Sequence, residues 1–157
     1  NTEYNQNLLM YHGKSWKDKY GAFFDPETVA ELKRIVEETN ADIVIESSWK
    51  YLGLEAMQQM WSDRNMPGKV IDVTPSSATD NMLLNANLDE MNPAHTQWKG
   101  VEIASWIADN LQDEGRYVII DDEYVIQDSQ LPHFILTNPY DGITGDLANR
   151  AIKILNG

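Results

Sequence analysis

Four apolar stripes of helical period alternate with four short β-branched or aliphatic runs along the chain, and their order predicts its architecture. Val29, Leu32, Ile35 and Val36 recur on one helical face after Asp25-Pro26, an N-cap residue followed by proline at the first helical position, and predict a helix over 26–39. Ile43, Val44 and Ile45 then predict a buried strand over 42–46, ending at Ser47, Ser48 and Trp49. Leu54, Met57, Met60 and Trp61 form the second helical stripe, and Pro67-Gly68 breaks the chain before a strand over 69–73.

Residues 74–98 are polar, Asn-rich and long for a connection, which is the usual character of a functional lid or an insertion. The start of the chain carries Tyr4, Tyr11, Trp16 and Tyr20 without a period, so 1–20 and 76–97 both read as cap or lid segments. Val101, Ile103, Trp106 and Ile107 predict a helix over 99–110, followed by a strand over 116–120. A short strand over 134–136, a turn-rich loop through Asn138-Pro139 and Asp141-Gly142, and a helix over 145–155 complete the order. The alternation predicts one α/β domain over 1–157, three-layered and Rossmann-like, with a mostly parallel sheet.

Composition narrows the function classes. No apolar run approaches the roughly 18 residues of a membrane span, and the polar start lacks the pattern of a signal peptide, so a soluble, cytoplasmic protein is expected. Cysteine is absent, which removes thiolate nucleophiles and thiolate metal sites. Twelve Lys and Arg stand against 25 Asp and Glu, a net charge of -13 that opposes bulk binding of nucleic acid. A small phosphorylated substrate remains compatible with that field if local groups and a cation hold it.

The candidate chemistry is concentrated where the run YVII meets Asp121 and Asp122. A parallel strand that ends in two carboxylates is a common way for an open α/β sheet to present ligands to magnesium and a phosphate. The same pair also suits a plain turn, because Asp caps backbone donors after a strand. Ser47 and Ser48 at the end of the earlier strand have the hydroxyls to donate to phosphate, or to cap the next turn. Lys99, at a helix start, offers an ammonium to an anion or to solvent. Trp49, Trp98 and Trp106 lack a basic stripe beside them and read as packing residues, and His12, His95 and His133 have no ligand spacing.

Taken in order, FDP at 24–26, TNADIVIESSWK at 39–50, VTP at 73–75, EIASW at 102–106, YVIIDD at 117–122 and DGIT at 141–144 resemble the haloacid dehalogenase (HAD) superfamily of magnesium-dependent phosphohydrolases. The chain is most similar to the small branch found alone or beside nucleic-acid repair modules. That resemblance implies Ser47, with Ser48 as alternate, and Lys99 as phosphate-binding and catalytic groups, and Asp121 and Asp122 as Mg2+ ligands. It also implies an Asp-x-Asp-Gly motif on the central strand, carrying the nucleophile, and no such motif occurs in the 157 residues. The chain begins with Asn1-Thr2, where relatives leave that motif, so the first, central strand is expected to be missing. Two accounts follow: an N-terminally truncated phosphomonoester hydrolase, inactive by itself, or a noncatalytic HAD-fold binding or interaction domain, with a homodimer as one means of completing the sheet. A receiver domain is disfavoured, because its acidic pair would come early in the chain.

Overall fold

The computed structural model describes residues 17–19, 21–22, 24–46, 52–75, 98–111, 115–124, 126–138 and 141–157. Its elements are β1 (Lys17–Asp18), β2 (Gly21–Ala22), α1 (Pro26–Thr39), β3 (Ile43–Ile45), α2 (Leu54–Asp63), β4 (Val70–Val73), α3 (Trp98–Asn110), β5 (Ile119–Asp121), a 3-10 turn (Asp128–His133), β6 (Phe134–Leu136) and α4 (Gly145–Asn156). Of the two stretches expected as caps, 76–97 lies outside the described residues, and 17–19 is the described part of 1–20.

Helix α1 forms where its N-cap and stripe predict. The Asp25 carboxylate accepts from Glu27 N–H at 2.9 Å, Pro26 occupies the first turn, and Asn40 closes the other end in the left-handed region at φ 57°. Helix α4 is capped by the Thr144 hydroxyl, which accepts from Leu147 N–H at 3.3 Å.

The chain has an α/β fold built on parallel strand pairs, but among the described residues the strands do not join into one sheet. β3 pairs with β4, β5 pairs with β6, and β1 and β2 form a separate antiparallel pair. The β3–β4 register shifts between Ile43↔Val70 and Val44↔Asp72, which leaves Ile71 as the extra residue, 37% exposed. The predicted strand over 116–120 is displaced: paired structure begins at Ile119 and includes Asp121. Its partner sets that limit, because the 3-10 turn with Pro132 inside it gives way to β6 only at Phe134.

Three core clusters follow from the alternation of strand side chains. Val118 and Ile120 face a cluster of Ile35, Ile135, Ile143, Ala148 and Ala151, which places α1 and α4 on one side of the β5–β6 ladder. Ile119 and Phe134 turn the other way, onto Ile103 of α3 and Ile126. Met57 and Met60 of α2 cover Val70, Ile43, Ile45 and Val73. Two contacts among the described residues tie the halves together. A Cβ at Gly68 would lie 3.0 Å from Ile43 Cδ1 and 3.1 Å from Val36 Cγ2, so α1 also reaches the β3–β4 half. From α3, the Trp106 indole N–H donates to Asp72 Oδ2 at 2.7 Å.

Candidate functional site

The apolar run of β5 places Asp121 at the strand's last position, where its backbone carbonyl still accepts from Thr137 N–H at 2.9 Å. Its side chain serves two partners at once. Oδ1 accepts from Glu123 N–H at 3.0 Å, forming the turn that follows the strand. Oδ2 faces Lys99 Nζ at 3.2 Å. The turn reading and the site reading of Asp121 therefore describe different oxygens of one carboxylate.

Lys99 comes from the first turn of α3, and its side chain is 35% exposed against 13% for Asp121. The ammonium has three donors, so the contact with Asp121 leaves N–H capacity directed elsewhere. Asp122 is exposed, yet its carboxyl is raised above the ordinary value of 3.8. Partial burial is the largest cause, followed by a hydrogen bond and charge repulsion from Asp121, while its own backbone N–H works the other way.

A raised carboxyl contributes stability below its unfolded-state value, and that contribution is lost as pH rises through the folded value. Asp122→Asn is therefore expected to raise the melting temperature at pH 7, by the equivalent of less than about 1 kcal/mol because the group is well solvated. The gain should vanish near pH 3, where both forms are neutral, and melts followed by circular dichroism at the two pH values would check it. An equal gain at both would contradict the stated cause.

Lys99, Asp121 and Asp122 are thus brought together, whereas Ser47 and Ser48 lie outside the described residues, beyond the end of β3. Among the described residues, no three or more His, Cys, Asp or Glu side chains gather as a metal site. His133 stacks on Tyr117 with ring centroids 4.1 Å apart, and Trp106 serves the tie to Asp72. A shallow cleft of ≈ 410 Å³ beside Gln58, Trp61 and Lys69 lies at the start of β4, away from the carboxylates at the end of β5. No helix among the described residues is long and apolar enough to cross a membrane.

Two residues of this region carry little signal in the sequence. Gln130 sits in the β5–β6 connection, where an amide has no periodicity to betray its burial, and it is 2% exposed. Gly100 did offer a cue, since glycine within a helix costs about 1 kcal/mol relative to alanine and calls for a packing reason.

An α/β fold with parallel strand pairs flanked by helices is consistent with a HAD-type domain. Residues 5–148 match the family described as the HAD domain in Swiss Army Knife RNA repair proteins, and the chain belongs to that family within the HAD superfamily. No curated protein and no solved structure matches the chain. Magnesium is the usual cation of the superfamily, but no ligand cluster for it gathers among the described residues, so no chemical step through a metal follows from them.

Proposed function

We propose that residues 1–157 act as a HAD-fold binding domain for a phosphorylated ligand, with Lys99 as the anion contact and Asp121 and Asp122 as seats for Mg2+. The observation that carries this reading is the 3.2 Å approach of Lys99 Nζ to Asp121 Oδ2 at the end of β5. An ammonium held there can share its remaining donors with a phosphate oxygen, while the adjacent carboxylates repel each other and would gain from a cation between them. Ser47 and Ser48, next in the chain after the end of β3, are the hydroxyl donors of the same reading. The β3–β4 and β5–β6 ladders are taken as halves of one Rossmann-like sheet whose centre strand is not among the described residues.

Binding is better supported than turnover, because the 157 residues contain no Asp-x-Asp-Gly sequence to supply the nucleophile. The family is named for RNA repair proteins, so a phosphorylated RNA end is the first ligand to try. A net charge of -13 favours contact with a terminal phosphate over contact with a long backbone. Magnesium-dependent phosphomonoester hydrolysis is the second reading, favoured by family membership together with the Lys99–Asp121 pair.

Titration of the 15N-labelled chain with Mg2+, and then with a terminally phosphorylated ribodinucleotide, separates these readings. Binding should perturb the resonances around Lys99 and Asp121 without releasing phosphate. Lys99→Met should weaken the phosphate step about tenfold or more, the loss expected for a charge-assisted hydrogen bond. Silence at these resonances under both additions would rule the binding reading out. Phosphate release that requires Mg2+ and disappears in Asp121→Asn would replace it with hydrolysis.

A further inference from the structure

We infer that Gln130 is a positioning residue for the Lys99–Asp121 pair, a role that matters for phosphate binding if the reading above holds. Burying an amide is costly unless both its ends are bonded, and the 2% exposed Gln130 meets that condition in one particular way. Its Oε1 accepts from Gln127 N–H at 2.9 Å, within the β5–β6 connection. Its Nε2 donates to the Gly100 carbonyl at 2.9 Å, on the first turn of α3.

Gly100 makes that approach physically available. A Cβ there would lie 2.8 Å from Gln127 N, 2.9 Å from Gln130 Oε1 and 2.9 Å from Ile126 Cα, closer than real Cβ atoms come to backbone. The connection that leaves Asp121 therefore rests directly on the residue that follows Lys99.

These contacts close a circuit through the site. Asp121 ends β5, the connection runs on to Gln130, Gln130 holds Gly100, and its neighbour Lys99 returns to Asp121 at 3.2 Å. The second half of α3 is held separately by Trp106 on Asp72. With that half held, Gln130 sets the distance between the first turn of α3 and the end of β5. A hydrophobic side chain of similar length fills the same space but releases the Gly100 carbonyl.

The reactivity of Lys99 toward an amine-acylating reagent reads this pairing without any ligand or turnover. Labelling is measured by peptide mass spectrometry relative to Lys33, whose side chain is 63% exposed on α1. Asp121→Asn should raise relative labelling of Lys99 about fivefold, the equivalent of one net hydrogen bond. Gln130→Met should produce a rise of similar size, and Gly100→Ala should do so by a second route should the first variant fold poorly. Ile135→Val, a loosening of the opposite core, should leave Lys99 labelling unchanged. Wild-type labelling in a folded Gln130→Met or Gly100→Ala, no response to Asp121→Asn, or an equal rise in Ile135→Val would each overturn the inference. Failure of phosphate to bind would leave the labelling result intact, so the two readings fail separately.

Discussion

Replacing Ile135 by alanine is expected to cost about 2–5 kcal/mol of folding stability. Ile135 is 0% exposed in the middle of β6, where it meets Ile35 of α1 together with Ile143, Ala148 and Ala151. Removing its outer carbons leaves a void between a strand and two helices. The fully buried α4 members of that cluster are Ala148 and Ala151, too short to fill it. Urea unfolding should show a lower midpoint with an unchanged slope, and Ile135→Val should lose only about 0.5–1.5 kcal/mol. A loss below about 1 kcal/mol for the alanine variant would mean that α1 and α4 close over the gap, against the packing described.

The second large effect is expected at Asp18. The Arg64 side chain is 7% exposed and donates to Asp18 through Nε at 3.0 Å and Nη2 at 2.7 Å, with its guanidinium 4.8 Å from the Phe24 ring centroid. Asp18→Ala leaves that cation buried without this carboxylate, a change that costs about 3–5 kcal/mol at fully buried pairs. Asp18 is 28% exposed and Arg64 keeps other contacts, so about 2–3 kcal/mol is expected here. Adding Arg64→Met should recover at least half of the loss, since an apolar side chain can lie on Phe24 without needing a counter-charge. If the double variant is as unstable as Asp18→Ala, the buried charge is not the cause.

Much of the local structure was legible because it depends on near neighbours. The Asp25-Pro26 start and the apolar stripe of α1 located the helix, and the run before Asp121 located the strand end at which Lys99 is found. Strand pairing was less accessible. A β-branched run announces a strand, but only its partner decides where the ladder starts, and β5 begins three residues later than expected because β6 has nothing to pair with it before Phe134. Long-range polar contacts were least accessible of all. Arg64 and Asp18 stand 46 positions apart, Trp106 and Asp72 34 apart, and Gln130 and Gly100 30 apart, with no local period marking any of them.

Within α1, Ile35 lies in the core that holds Ile135, while its neighbour Val36 lies against Gly68 of the other half. One helix thus splices two interiors that are otherwise built from separate stretches of chain. The β3–β4 half comes from residues 43–73 and the β5–β6 ladder from 119–136, so each can gather from one continuous stretch before the other exists. The two seats of α1 arise on different schedules. Although it is the first helix in the chain, α1 is therefore expected to be fully seated only once both halves have formed.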